Sequence, residues 1–114
     1  MRDDLLRWQW QGYPAFHRDR INLLVHIVCV PTLVIALGSF VFAICTLHWV
    51  GAGCAFATAF VAFALQGVGH KREAMAPIDF LGPLDALTRI LAEQFITFPR
   101  FLFSGRLAAA LRLP

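Results

Sequence analysis

The chain has 114 residues, of which 59% are hydrophobic and 15% are charged, and its net charge is +3 at pH 7. This length is enough for one small domain, residues 1–114, and too short for two. The basic residues flank a long uncharged segment and do not form the continuous basic stripe of a nucleic-acid-binding surface. We therefore expect no nucleic-acid partner.

The first twelve residues mix charged side chains with two tryptophans, Trp8 and Trp10. Tryptophan next to a membrane span favours the boundary between water and bilayer, so we predict a short interfacial helix here. Gly12 and Pro14 come next. Because glycine and proline are the strongest local breakers, we expect this helix to end at them.

The segment from Ile21 to His70 contains no Asp, Glu, Lys or Arg and predicts two membrane-spanning helices. They run from about residue 21 to 45 and from about residue 50 to 69, and about 20 apolar residues suffice to cross a bilayer core of about 30 Å. Pro31 predicts a kink in the first span. The connector carries no charge while both flanks are cationic, which predicts a hairpin with both termini in the cytoplasm. The alternative is a very apolar soluble core.

The last third of the chain has a mixed composition that predicts an amphipathic helix on the cytoplasmic face. Pro83 suits the first turn of this helix, and Pro99 is expected to end it. One charged stripe is predicted along it, formed at i, i+4 and i+8 by Asp85, Arg89 and Glu93. The predicted fold is therefore all-α: a two-span integral membrane hairpin flanked by amphipathic interfacial helices.

Polar residues interrupt both spans near the predicted cytoplasmic boundary. Asn22 and His26 are four residues apart and so share one face of a helix. A buried amide or imidazole in such an apolar segment is costly unless something satisfies it. Gln66, His70 and Glu73 form a similar face at the end of the second span. Because both of these ends lie on the same side of a hairpin, we expect the two faces to meet.

The two faces, together with His17, contain donors for a divalent metal, because neutral imidazole is the commonest metal ligand. His17, His26 and His70 supply three nitrogens, and Glu73 supplies an oxygen. Such a nitrogen-rich set suits Fe(II) or Zn. The spacing matches no known metal signature, so the alternative is that each histidine is a satisfied structural residue. His17 would face away from His26 on a continuous helix, so it joins the site only if the chain breaks near residues 18–21 or if a different helix carries it.

Two motifs carry these residues: Tyr13…His17-Arg-Asp-Arg-Ile-Asn22-Leu-Leu-Val-His26…Val30-Pro31 and Gln66-Gly-Val-Gly69-His70…Glu73…Pro77. Their order resembles the bacterial branch of the 2-hydroxy-fatty-acid dioxygenase family. The ending Glu93-Gln-Phe-Ile-Thr-Phe-Pro-Arg-Phe…Ser104-Gly105 is also similar. The resemblance extends from about Trp8 to Gly105.

The resemblance implies an Fe(II)-dependent oxidoreductase that uses dioxygen to shorten 2-hydroxy fatty acids by one carbon (alpha-oxidation). It implies metal-site roles for His17, His26 and His70 and supporting or ligating catalytic roles for Asn22 and Glu73. Asp19 and Glu93 are predicted to hold histidines or arginines in place. The expected partners are a fatty-acid or lipid substrate, dioxygen and membrane lipids. The expected location is the bacterial inner membrane.

Two non-enzymatic functions are the alternatives. Asn and His side chains tie membrane helices together through hydrogen bonds worth about 0.6–2 kcal/mol per contact, so a buried His/Asn/Glu cluster can be purely structural. The other alternative is a metal-binding protein that interacts with lipid without catalysis. A zinc hydrolase acting on lipid is disfavoured, because the sequence has no nucleophile motif such as G-x-S-x-G.

Overall fold

The computed structural model describes residues 3–112, and every regular element in that range is helical. In chain order the elements are α1 (Leu5–Phe16), α2 (Arg20–Cys45), α3 (Trp49–His70), α4 (Pro83–Ala92), a π-helical segment (Glu93–Thr97), α5 (Phe98–Phe103) and α6 (Arg106–Arg112). The predicted all-α class is confirmed. The predicted domain and N-terminal helix also included residues 1, 2, 113 and 114, which lie outside the described residues.

Helices α2 and α3 pack together as a hairpin, and each is long and apolar enough to cross a membrane. Their bounds agree with the predicted spans to within one residue at each end. Helix α2 runs without interruption through Pro31. The connector is three residues long, and its last residue, His48, caps α3 by accepting a hydrogen bond from the N–H of Gly51 at 3.0 Å.

Helix α1 does not end at its glycine and proline, so that part of the sequence prediction is wrong. The helix continues through Gly12 and Pro14 to Phe16. Packing explains the continuation: the rings of Trp10 and Tyr13 lie 6.5 and 5.1 Å from the ring of Phe101 in α5. Burying these aromatic faces outweighs the local preference of a single proline. The chain breaks instead at residues 17–19, close to the break that a metal role for His17 requires.

The C-terminal helical region begins as predicted, with Pro83 in the first turn of α4, but it does not end at Pro99. The helix widens over Glu93–Thr97, where the N–H of Phe98 donates to the carbonyl of Glu93, five residues earlier. Proline has no N–H, and its ring clashes with the carbonyl four residues before it in an ordinary α-helix. A single π turn relieves this clash. The helix therefore continues as α5.

The predicted charged stripe on α4 does not face solvent. Asp85 is 1% exposed and lies 3.5 Å from the guanidinium of Arg89. The guanidinium also donates to the carbonyl oxygens of Ile78 and Asp79, at 2.8 and 3.1 Å. These contacts fasten the irregular segment before α4 onto the helix. The third member of the stripe, Glu93, turns towards the histidines.

The largest buried cluster lies where α1, α2, α5 and α6 meet. It consists of Tyr13, Leu23, Val30, Phe98, Phe101 and Leu107. Phe98 and Phe101 are among the most deeply buried side chains, and the ring of Phe98 lies 5.9 Å from that of His26. The polar residues at this end of the hairpin pack against this apolar cluster.

Candidate metal centre

Three histidine side chains from three helical segments converge at one point. His17 directly follows α1, His26 lies in the second turn of α2, and His70 is the last residue of α3. Their ring centroids are 4.7 to 4.9 Å apart, and the rings are nearly perpendicular to one another. With a carboxylate oxygen of Glu93 they form a group in which all four donor atoms lie within 4.8 Å of one another.

Hydrogen bonds to the backbone fix the ring nitrogens of two of these histidines. His17 Nδ1 lies 2.8 Å from the carbonyl oxygen of Tyr13, and His26 Nδ1 lies 2.9 Å from that of Asn22. A carbonyl oxygen only accepts hydrogen bonds, so each Nδ1 carries a hydrogen, and in the neutral imidazole each Nε2 then keeps a free lone pair. This is how metal-binding histidines are commonly oriented in proteins.

The nitrogens that face the centre of the cluster are buried and have no hydrogen-bond partner: His17 Nε2, His26 Nε2 and His70 Nδ1. Buried polar atoms without a partner are rare in native structures and require an explanation. A cation at the centre would satisfy all three lone pairs at once. The residues present therefore fit a divalent metal ion.

Glu93 supplies the negative charge of the cluster. Its Oε2 lies 3.3 Å from His17 Nε2 and 4.0 Å from His26 Nε2. Burial alone would raise the pKa of the Glu93 carboxyl, but His17, followed by the charges of His26 and His70, outweighs burial when the imidazoles are protonated, and the pKa then falls to about 2. An ionised oxygen close to two nitrogen lone pairs is repelled by them unless a proton or a cation lies between. One shared proton can relieve the repulsion between Glu93 and a single imidazole, whereas a cation can relieve it for Glu93 and all three imidazoles.

Glu73, the carboxylate that the sequence placed with the histidines, makes different contacts. Its oxygens accept hydrogen bonds from the backbone N–H groups of Arg18 and Asp19 at 2.9 to 3.1 Å. The side-chain amide of Asn22 donates to it at 2.6 Å. Glu73 therefore clamps the break between α1 and α2, which is what sets the position of His17. The cluster takes its oxygen from Glu93, to which the sequence had assigned only a supporting role.

Asn22 is fully buried and lies beside the cluster, not within it. Its carbonyl oxygen accepts the hydrogen bond from His26, and its side-chain amide holds Glu73. The neighbouring helix leaves it almost no room, since a Cβ built on Gly69 would lie 2.5 Å from Asn22 Oδ1. The first turn around it is capped by Asp19, whose carboxylate accepts from the N–H of Asn22 at 2.9 Å.

Two glutamines fix the π-helical segment against α3. The side-chain amides of Gln66 and Gln94 exchange two hydrogen bonds, at 3.0 and 2.8 Å, and both side chains are buried. Gln9 in α1 adds a third attachment, because it accepts from the hydroxyl of Thr97 and donates to the carbonyl of Arg89 at 3.0 Å. Gln66 was predicted to share the polar face of His70, but its partner lies outside the cluster. Together these bonds hold Glu93 beside the histidines.

Tyr13 covers one side of the cluster. Its ring stacks on the imidazole of His17, with the centroids 3.7 Å apart and the planes 10° from parallel. Its hydroxyl is buried and has no hydrogen-bond partner. Burial, followed by the nearby charge of Glu93, raises the pKa of the Tyr13 phenol well above its ordinary value, so the phenol keeps its proton at neutral pH.

A cavity of about 540 Å³ opens onto the cluster, and His17, His70 and Glu93 all line it. Most of its remaining wall is apolar and includes Trp8, Phe16, Phe63, Ile78, Phe80 and Ile90. Lys71, whose side chain is exposed, also lines it. A concave apolar site with a few convergent polar groups is the usual form of a small-molecule binding site.

The fold and the cluster define an all-helical protein with a group of three histidines and one glutamate able to hold a metal ion. The chain belongs to the family described as 2-hydroxy-palmitic acid dioxygenase Mpo1-like, whose family model matches residues 5–98. The match includes all four residues of the cluster, and the family predicted from the sequence is confirmed. No curated protein and no solved structure matches the chain.

Proposed function

We propose that the protein is an Fe(II)-dependent dioxygenase that shortens 2-hydroxy fatty acids by one carbon at the cytoplasmic face of a bacterial inner membrane. The observation that carries this proposal is the set of three partnerless buried imidazole nitrogens facing the Glu93 carboxylate at the wall of an apolar cavity. The family description supports the class of substrate.

His17, His26, His70 and Glu93 would hold the metal in this proposal. Three imidazoles and one carboxylate form a donor set that suits Fe(II), and bound iron supplies the one-electron and dioxygen chemistry that side chains lack. Asn22 and Glu73 act outside the set: Asn22 orients His26, and Glu73 fixes the chain break that carries His17. The candidate catalytic roles of Asn22 and Glu73 thus become positioning roles.

The cavity accounts for the two parts of the substrate. Its apolar wall suits an acyl chain, and its polar end at the cluster suits a head group with hydroxyl and carboxylate oxygens. Lys71 adds a cation for that carboxylate. The reaction balances with dioxygen alone: the bond between C1 and C2 breaks, and a 2-hydroxy acid and O₂ give the shorter acid, CO₂ and water. Four electrons pass from the substrate to dioxygen, so no external reductant is needed.

The surface of the hairpin supports a membrane location. Phe42, Val50 and Phe60 are 70%, 77% and 64% exposed, and most of the apolar windows of α2 and α3 are exposed as well. A core helix of a soluble protein would bury such residues, whereas a membrane helix presents them to lipid. The cationic flanks support a cytoplasmic location for both termini. The cavity then lies at the boundary where a fatty acid partitions.

The main alternative is that the histidine cluster is purely structural. The hydrogen bonds favour a metal-binding role over a structural one. Gln66 and Gln94 pair with each other through two hydrogen bonds, as residues that tie helices together should. The inward nitrogens of the three histidines remain unsatisfied. A set of structural polar residues has no reason to leave three buried lone pairs pointing at one another.

Metal content and turnover test the proposal directly. The protein is purified in mild detergent without oxygen, its iron is measured by mass spectrometry, and 2-hydroxyhexadecanoate is supplied with air. We expect one iron per chain and conversion to pentadecanoate with equal consumption of O₂ and release of CO₂. Less than about a tenth of an equivalent of iron, with added Fe(II) not retained, would refute the proposal.

A further inference from the structure

The hydroxyl of Tyr13 has no role in the fold. The side chain is 3% exposed, and the hydroxyl has no hydrogen-bond partner. A buried donor without an acceptor is unfavourable, because the water it leaves is not replaced. The aromatic ring alone makes the contacts with His17 and Phe101, and phenylalanine could make both. Glu93 acts on the hydroxyl, but no group of the described chain makes a hydrogen bond of ordinary geometry with it, so the hydroxyl can still accept a partner from a bound ligand.

The position of Tyr13 indicates where that acceptor comes from. Tyr13 lines the same cavity as His17, His70 and Glu93, and its ring covers His17 face to face. A molecule that fills the cavity and reaches the cluster must pass beside this ring. A phenol hydroxyl donates its hydrogen bond to an oxygen, and it donates most strongly to an ionised one.

We propose that the Tyr13 hydroxyl donates a hydrogen bond to a carboxylate oxygen of the ligand bound at the cluster. Tyr13 is then a residue of the binding site that selects acids over alcohols of the same chain length. The inference rests on the proposed function, since it places the head group of the 2-hydroxy acid against the metal-binding residues. It goes further by naming the side chain that recognises the carboxylate.

The test compares Tyr13→Phe with wild-type protein under anaerobic conditions, so that binding is measured without turnover. Both are loaded with Co(II), whose visible absorption reports metal binding, and titrated with 2-hydroxyhexadecanoate and with hexadecane-1,2-diol. We expect the substitution to weaken binding of the acid about tenfold or more, as the loss of a hydrogen bond to a charged group does. Affinity for the diol and for Co(II) should stay within about twofold of wild type.

The thermal midpoint of the metal-free protein gives a second readout. Removal of a partnerless buried hydroxyl should leave this midpoint unchanged or raise it, because the donor contributes nothing to the ligand-free fold. Thr88→Val is the matched control. It removes a hydroxyl from α4 that donates to the carbonyl of Leu84 and does not line the cavity. This control should bind the acid and the diol as wild type does.

Several outcomes would overturn the inference about Tyr13, and only one of them would also overturn the proposed function. Equal affinity of Tyr13→Phe and wild type for the acid removes the inference and leaves the proposed function standing. A fall of about 10- to 100-fold in Co(II) affinity, with ligand binding unchanged, would show that Tyr13 orients Glu93 instead. Parallel loss of acid and diol would indicate a change of cavity shape. Metal-loaded wild-type protein that binds neither ligand would overturn both proposals.

Discussion

Glu73 and Glu93 both lie near the histidines but make different contacts. Glu73 is close to His70 in sequence, and Glu93 is close to the histidines in space. Glu93 faces the partnerless imidazole nitrogens, whereas Glu73 accepts hydrogen bonds from the backbone where α1 gives way to α2. Glu93 is placed where it could be a donor to a metal, and Glu73 is an acceptor that holds a loop. Replacing Glu93 by glutamine should therefore act mainly on metal affinity, and replacing Glu73 by glutamine should act mainly on stability.

Glu93→Gln should lower metal affinity about 10- to 100-fold, because it removes the anionic donor of the group. Glu73→Gln should cost about 1–3 kcal/mol of stability, because an amide N–H₂ then faces backbone donors. Glu73→Gln should lower metal affinity less than Glu93→Gln does. Metal titration and thermal unfolding of both variants measure the two effects. Equal loss of metal affinity in both would contradict the assignment of Glu93 as the oxygen donor.

His26 and His48 offer a matched comparison among the histidines of α2 and the connector that follows it. His26 is fully buried in the cluster, whereas His48 is exposed and caps α3 at the far end of the hairpin. His26→Ala should reduce bound iron and turnover by at least about tenfold. His48→Ala should keep both and lose about 1 kcal/mol of stability with its cap. If His26→Ala retains full turnover of the 2-hydroxy acid, the histidine is structural.

Helix α3 carries glycines in two different environments, and they show how closely the helices of the hairpin must approach. A Cβ at Gly69 would meet Asn22 of α2, whereas a Cβ at Gly53 would meet nothing within 4 Å. The close approach brings the end of α3, with His70, beside the start of α2, with His26. Small residues of this kind are what permit close packing between membrane helices.

Gly69→Ala should destabilise the protein by about 1–3 kcal/mol and weaken metal binding, because Asn22 must move and it orients His26. Gly53→Ala should be neutral or stabilising by up to about 1 kcal/mol, since alanine favours helix and the site is open. Thermal unfolding and metal titration of the two variants give the comparison. Wild-type metal affinity in Gly69→Ala would mean that the close contact plays no part in building the site.

The elements also show which features the sequence could predict. The two long helices of the hairpin follow from an uncharged apolar segment, and their bounds agree with the prediction to within one residue. The break at residues 17–19 was expected only on the condition that His17 joins the site, because residues nine apart face opposite ways on a helix. The π-helical segment had no such signal: it arises from the fit between Pro99, the Gln66–Gln94 pair and the core below. Local propensity also failed at Pro14, where burial of the neighbouring aromatics outweighs it.

At the scale of the whole molecule, the candidate metal centre joins parts of the chain that are far apart in sequence. Its four donors come from the end of α1, from α2, from α3 and from the π-helical segment. The hairpin supplies two of them, and the segments outside the hairpin supply the other two. A metal bound at this point therefore fastens the N- and C-terminal helical segments to the hairpin. The protein's stability should consequently depend on metal.

Removal of metal should lower the thermal midpoint of the protein in detergent, and returning Fe(II) should restore it. Binding to the folded state alone stabilises by RT ln(1 + [M]/Kd), which is about 2.7 kcal/mol at a metal concentration of 100 Kd. The measurement compares chelator-treated and Fe(II)-loaded protein under anaerobic conditions. His26→Ala is the control and should unfold at the same temperature in both states. Equal midpoints for metal-free and metal-loaded wild type would show that the four donors do not hold an ion together.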